Sequence, residues 1–309
     1  STAEESLAEA EKVMSSLRET CGIKAVVNIS DGIQQVIENM EYRIKHPGQV
    51  KGIPTGYQKL DRVLDGLQDT AMIVIGARPA VGKTSFMTNI LLNIANSGIP
   101  VGMFSLEMSK VQILERIMFG QSGIDPMALR RGQKLTTYQQ GAFTGAVRRV
   151  KGIPFFVDDR PALRIDQIQA TARRMVADHG VRCIGVDYLQ LANPTGRQAS
   201  REREVSEISA GLKALAKELN IPVIVLAQLN REVEKRAGKD AGVPRVSDLR
   251  DSGSIEQDAD QIMLLYRPFA SDRDADPKEA KVIIGKNRFG STGHINLEWD
   301  AAATTYREV

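Results

Sequence analysis

The stretch AMIVIGARPAVGKTSF, residues 71–86, decides the fold. Met72 to Ile75 form a short unbroken apolar run, the pattern of a strand buried on both faces of a parallel sheet. Ala77-Arg78-Pro79-Ala80-Val81-Gly82-Lys83-Thr84 follows, and a helical pattern starts at Lys83. Strand, loop, Gly-Lys-Thr and helix make a phosphate-binding loop, with Ala77 where its first glycine usually stands. In such a loop the backbone N–H groups and the positive end of the helix cradle phosphate oxygens. The nucleotide-binding candidates are therefore Ala77, Arg78, Pro79, Ala80, Val81, Gly82, Lys83, Thr84 and Ser85. Gly82 lets the backbone approach, Lys83 reaches the outer phosphates, and Thr84 offers its hydroxyl to Mg²⁺.

Outward from this loop, strand-like runs alternate with helical ones. Strands are expected at 71–77, 101–107, 154–159, 182–191, 222–229, 261–267, 281–287 and 294–300, the last closing the set. Helices are expected at 83–96, 109–121, 136–150, 165–179 and 203–219. Such a series is an α/β domain with a mainly parallel central sheet flanked by helices. Polar segments 192–202 and 231–252 are long enough to be functional loops.

Four further strings, with five residues between them, have chemistry to offer a nucleoside triphosphate. RCIGVDYLQL carries an apolar run ending in Asp187, where a carboxylate would orient Mg²⁺. A turn or cap residue is the bland alternative. VGMFSLEMS carries Glu107, placed to accept a hydrogen bond from an attacking water; a carboxylate serving a helix N-terminus is its alternative. LAQLNR ends a strand on Gln228, whose amide can sense the γ-phosphate or be an ordinary polar strand end. KNRFG holds Lys286 and Arg288 in a Gly-bounded turn. Phosphoryl transfer gains from an added cation at the transition state, and nothing near this chain's own loop requires these two. They are expected to act on the next subunit, with solvated surface cations as the alternative.

The 309 residues are 42% apolar and 26% charged, a composition that buries a sizeable core. Aromatics at 5% argue against a β-sandwich or a sugar-binding surface. Cys21 and Cys183 offer no disulfide framework and suggest a reducing compartment. His46, His179 and His294 stand apart, in no zinc or triad spacing. No apolar run reaches a membrane span, and no signal-peptide pattern opens the sequence. The net charge of +3 shows no broad basic face, but it averages two unlike parts. Through Lys45 there are 8 acidic and 5 basic residues; beyond it 36 basic face 30 acidic.

Residues 1–22 read as a helix, and a second runs from about Gly32 to Lys45, with Asp31 and Gln34 resembling a capping box. Ile33, Val36, Ile37, Met40 and Ile44 form one apolar stripe on it. That stripe must pack either on its own domain or on a neighbouring subunit. Two domains are expected: 1–50, a helical lead segment, and 51–309, the nucleotide-binding domain.

GARPAVGKTS, FSLEMS, DYLQL, LAQLNR, SDLRDSGSIEQDAD and KNRFGSTG occur here in the order seen in the DnaB-type replicative helicases, which this chain resembles. The resemblance covers nearly all of 50–309, and SDLRDSGSIEQDAD is its most discriminating string. Residues 1–50 resemble the end of that family's amino-terminal region and its amphipathic linker helix; most of the amino-terminal domain is absent. The resemblance implies a RecA-like P-loop NTPase, ATP and Mg²⁺ as cofactors, and a homohexamer joined through the linker helix and nucleotide sites completed in trans. It implies 5′ to 3′ translocation on single-stranded DNA with duplex unwinding, in the cytoplasm of a bacterial or phage-infected cell, beside a helicase loader and primase. Carried onto this sequence, it makes Lys83, Glu107, Gln228, Lys286 and Arg288 catalytic, and Thr84 and Asp187 metal ligands. Arg250, Asp251 and Gly253 of the RDSG string become DNA contacts, with Asp251 where many relatives have Glu. An acid repels phosphate, so Asp251 is expected to pair with Arg250 or a neighbouring loop. Arg201, Arg203, Arg231 and Arg245 are further candidates, each also readable as a solvated or interface charge. The alternatives are a RecA-like or clock-type ATPase that remodels a filament or ring without unwinding, and a weak P-loop module that regulates a true helicase.

Overall fold

The computed structural model describes residues 28–187, 189, 192–194, 200–236, 242–249, 253–270, 272 and 274–309. The expected helix at 1–22, Cys21, Arg250 and Asp251 lie outside the described residues. The chain divides into two compact units, one ending at Gln49 and the other spanning Val50–Val309.

In the first unit a 3₁₀ turn, Ile29–Gly32, runs into helix α1, Ile33–Lys45. The Asp31 side chain, and with it the expected capping box, lies outside the described residues. The chain turns helical at Ile29, where the Asn28 side chain accepts the Ser30 N–H at 3.1 Å. Gln34 Nε2 donates to Glu38 Oε1 at 3.1 Å, one turn along the helix. The stripe Ile33, Val36, Ile37, Met40 and Ile44 is exposed.

The described residues of the second unit are built on a nine-stranded sheet. Its strands are β1 (Met72–Ala77), β2 (Val101–Ser105), β3 (Phe155–Asp158), β4 (Cys183–Asp187), β5 (Val223–Gln228), β6 (Gln261–Tyr266), β7 (Glu279–Asn287), β8 (Gly293–Asp300) and β9 (Thr305–Glu308). Their order is β3-β2-β4-β5-β1-β6-β7-β8-β9. β3 through β6 in that order pair parallel; β7, β8 and β9 add on antiparallel. The helices are α2 (Gln58–Leu64), α3 (Lys83–Asn96), α4 (Lys110–Ser122), α5 (Pro126–Arg130), α6 (Thr137–Lys151), α7 (Ile165–His179), α8 (Arg201–Leu219) and α9 (Gly253–Asp258).

The unbroken apolar runs are explained by burial on both faces. Along β1, Ile73 and Ile75 join the core that holds Phe86, Ile90 and Leu91 of α3. Met72 and Val74 join the opposite core, with Ile168 of α7 and Leu212 of α8. Successive side chains of a strand point to opposite faces, so a strand covered on both sides is apolar throughout. The mainly parallel α/β architecture expected from the sequence is the one observed. The largest differences are at strand ends: β2 stops at Ser105 and β4 at Asp187, two and four residues before the expected ends. The strand at 294–300 is not the last, because β9 pairs beyond it.

Candidate functional site

The parallel register gathers the chemistry at one edge of the sheet. Ser105 pairs with Asp187, and Ala77 pairs with Gln228, so four strands end side by side. Ligands of open α/β sheets bind at such carboxyl ends. A cleft of about 380 Å³ opens there. Arg78, Pro79, Ala80, Gly82, Lys83, Thr84 and Ser85 line it, joined by Glu107 and Gln228. Ala77 and Val81 are buried behind them.

The loop's shape comes from its backbone. Gly82 sits at φ 102° and ψ 31°, a left-handed conformation that costs glycine little, and caps α3. A β-carbon there would come 3.0 Å from the Tyr306 hydroxyl. Tyr306 donates that hydroxyl to the Val81 carbonyl, and Trp299 packs on Tyr306 with ring centroids 4.6 Å apart. Strands β8 and β9 thus brace the loop from behind. Burial pushes the Tyr306 phenol above its ordinary range, so it stays a donor.

Inside the cleft, Thr84 donates its hydroxyl to Asp187 Oδ2 at 2.8 Å. Lys83 Nζ stands 3.7 Å from Glu107 Oε2 and 3.9 Å from Asp187 Oδ1. Glu107 lies two residues beyond β2 rather than on it. Ser105 makes the bend, donating its hydroxyl to the Met108 carbonyl at 2.7 Å, while Leu106 N–H donates to the Asp187 carbonyl at 2.8 Å. Asp187 is fully buried, whereas the Glu107 side chain is half exposed. Burial pushes the Asp187 carboxyl above the usual carboxylate range, against the pull of the Lys83 ammonium and Thr84 hydroxyl. Its Oδ1 has no hydrogen-bond partner among the described residues. A buried carboxylate oxygen left over beside a hydroxyl suits a hard divalent cation with oxygen ligands.

Other expected residues lie apart. Lys286 and Arg288, at the end of β7 and just past it, do not line the cleft. Gly253 opens α9. Arg203, Arg231 and Arg245 are exposed, and Arg201 pairs with Glu204 at 2.7 Å. The Arg78 guanidinium is engaged with Glu234 Oε1, at 2.8 and 2.6 Å, and with the Leu229 carbonyl at 2.9 Å.

Sequence reasoning missed Arg116, Trp299 and Thr304, which also line the cleft. Arg116 sits on α4 with a guanidinium N–H 3.4 Å from Ser85 Oγ. A second cavity of about 230 Å³ shares Ser85, Arg116 and Thr304 with the first. The Thr88 and Thr305 hydroxyls, on its wall, are buried without partners among the described residues.

Residues 52–308 match the family model described as the DnaB-like helicase C-terminal domain. This chain belongs to that family. The DnaB-like assignment agrees with its relatives. The replicative DNA helicase DnaB of Geobacillus stearothermophilus is 42% identical over 276 residues, covering 88% of this chain and 60% of the relative. The replicative DNA helicase DnaC of Bacillus subtilis is 40% identical, covering 95% and 64%. This DnaB-like chain therefore spans about three fifths of the length of these relatives. Among solved structures, an isolated ATPase domain superposes with a TM-score of 0.86 at 30% identity, over 92% of this chain and 99% of that one. A DnaB-like replicative helicase studied with primase gives 0.86 at 28%, over 99% and 76%. The RecA-like fold expected from the motifs is thus the fold of the family. No helix among the described residues is long and apolar enough to cross a membrane.

Proposed function

We propose that this chain is the ATP-driven motor of a ring-forming replicative DNA helicase that moves 5′ to 3′ on single-stranded DNA. One observation carries the reading: Lys83, Thr84, Glu107 and Asp187 converge at the carboxyl edge of the sheet, with Lys83 Nζ within 4 Å of both carboxylates. In this reading ATP lies on the loop 77–85 with its base and ribose toward the Thr88 and Thr305 cavity. Lys83 neutralises the outer phosphates. Thr84 and Asp187 hold Mg²⁺, which supplies charge stabilisation to the phosphates when bound. Glu107, half exposed at the mouth of the cleft, accepts a hydrogen bond from the attacking water and aims it in line. Gln228, at the end of β5, senses the γ-phosphate and leads directly into segment 231–252.

Lys286 and Arg288 complete the site of a neighbouring copy, which fits their distance from the cleft of their own chain. Arg250, Asp251 and Gly253 meet the DNA backbone, Asp251 by pairing with Arg250. The exposed stripe of α1 is the seat on that neighbouring copy, so the linker helix and the nucleotide sites join one ring. A helicase loader and primase are the expected partners beyond the ring, at the replication fork in the cytoplasm.

The test is ATP hydrolysis with and without an unstructured single strand. Hydrolysis is expected to rise severalfold with the strand, and Lys83→Ala is expected to abolish it. Robust hydrolysis indifferent to single-stranded DNA at low salt would remove the reading.

A further inference from the structure

Asp260 precedes β6 and is almost completely buried, yet it is a carboxylate facing two cations. Its Oδ2 accepts the Met72 N–H at 2.8 Å and the Lys213 ammonium at 2.5 Å. Lys213 also donates to the Thr70 carbonyl at 2.9 Å. The Asp260 backbone N–H donates to the Met72 carbonyl at 2.9 Å. One carboxylate oxygen is thereby fixed to the start of the strand that carries the phosphate loop and to α8. The other, Oδ1, accepts from Arg288 Nη1 at 3.0 Å.

Arg288 is held at two further points. Its backbone N–H donates to the Asp260 carbonyl at 2.9 Å, and its Nη2 to the Gln257 carbonyl at 2.8 Å. Lys286 Nζ donates to the Glu256 carbonyl at 2.5 Å. Both carbonyls belong to the last turn of α9, whose negative end draws cations. Burial, then the Arg288 charge, lowers the Lys286 ammonium from its ordinary range. The Arg288 side chain nevertheless stays half exposed. Two of its five guanidinium N–H groups, one on each Nη, are engaged among the described residues, and the remaining three are left for a further acceptor.

A long side chain free to sample rotamers would have to be ordered whenever a neighbouring site closes on it. A buried, doubly anchored carboxylate orders it beforehand, which is what electrostatic stabilisation of a transition state requires. We propose that Asp260 is a positioning residue for Arg288, presetting the cation that this subunit offers to the nucleotide of the next. The inference rests on the reading of Arg288 as acting in trans. It ties that cation to the strand bearing the chain's own phosphate loop, and through α9 to Gly253, the last residue of the RDSG string.

Asp260→Asn keeps an acceptor for Met72 and Lys213 and removes the charge facing Arg288. Its steady-state ATPase in the presence of a single strand is expected to fall about 100-fold in kcat, the effect of a misplaced catalytic group, with nucleotide affinity unchanged. The decisive step mixes chains. Asp260→Asn supplies a whole Glu107 and a loose Arg288; Glu107→Gln supplies a well-held Arg288 and no carboxylate. Mixed rings contain interfaces whole on both sides, so the mixture is expected to hydrolyse ATP severalfold faster than either variant alone. An unfolded or generally weakened Asp260→Asn chain could not produce that gain. Arg288→Ala mixed with Glu107→Gln is the reference for trans action. If that pair complements and Asp260→Asn does not, the role of Asp260 is overturned while the trans reading stands. If neither complements, both fall. Lys213→Met, which removes the other cation from the same carboxylate, is expected to keep more than about half the wild-type rate. A loss as deep as that of Asp260→Asn would make Asp260 a packing centre and overturn the proposal.

Discussion

The Thr84 hydroxyl donates to Asp187 Oδ2 across 2.8 Å, joining the first turn of α3 to the end of β4. The two residues are 103 positions apart in the chain. They meet because β4 and β1 flank β5 in one parallel sheet and end at the same edge. The contact leaves Asp187 Oδ1 buried without a hydrogen bond among the described residues, 3.9 Å from the Lys83 ammonium, an oxygen that would suit a divalent cation.

Asp187→Asn is therefore expected to separate stability from activity. Burial raises the folded-state pKa of Asp187 above its unfolded value, so the folded chain holds that proton more tightly. The contribution favours the fold at low pH and is lost as pH rises through the folded pKa. At neutral pH the neutral amide removes this penalty. The nucleotide-free variant should melt at a higher temperature than the wild type, and hydrolyse ATP at least about 100-fold more slowly. Calorimetry and a steady-state ATPase assay check the two halves.

Tyr306 braces the phosphate loop through its hydroxyl, and its ring lies in the aromatic group with Phe86 and Trp299. Tyr306→Phe should cost about 1 kcal/mol of stability, the net worth of one hydrogen bond, and weaken nucleotide binding a few-fold. Tyr306→Ala should cost about 3–5 kcal/mol through the cavity it leaves. Denaturant titration with and without nucleotide distinguishes them.

Cys183 begins β4, is completely buried, and has its thiol pushed up to about 12 by that burial. Reactivity follows the thiolate, so the native chain at pH 8 should leave the Cys183 peptide unalkylated. Unfolding in denaturant should label it fully. Peptide mass spectrometry reads both.

Binding to single strands should depend on salt and not on sequence. A backbone contact releases counterions, and each phosphate neutralised adds about −0.7 to the slope of log affinity against log salt. Fluorescence anisotropy on oligo-dT and a mixed-sequence strand of equal length should give the same slope and affinities within about threefold. Arg245→Ala would lower the slope only if that exposed residue meets a phosphate.

The parallel core and the nucleotide edge were legible because their signals are local. Apolar runs such as residues 223–227 announce buried strands, and Gly82-Lys83-Thr84 announces the loop between strand and helix. The missed elements have short or mixed patterns. β9 is four residues, TYRE, too brief for alternation to register, and it gains its stability from pairing with β8. α5 and α9 are five and six residues long, below the length at which helical periodicity shows. Arg116 reaches the cleft, and Tyr306 the back of its loop, from elements 31 and 225 positions away from their partners Ser85 and Val81, which no local pattern encodes. Asn28 and Asp31 both suit a cap, and the 3₁₀ turn at Ile29–Gly32 follows the earlier of them.

The proposed motor couples hydrolysis at this edge to movement along one DNA strand. The direct measurement is displacement of a labelled strand from a forked duplex, in Mg²⁺ and ATP, with the single-stranded tail placed at the 5′ or the 3′ end of the tracked strand. ATP-dependent displacement that requires the 5′ tail, and is absent in Lys83→Ala, is the predicted result. Hydrolysis at the wild-type rate with no strand released from either fork would contradict the account.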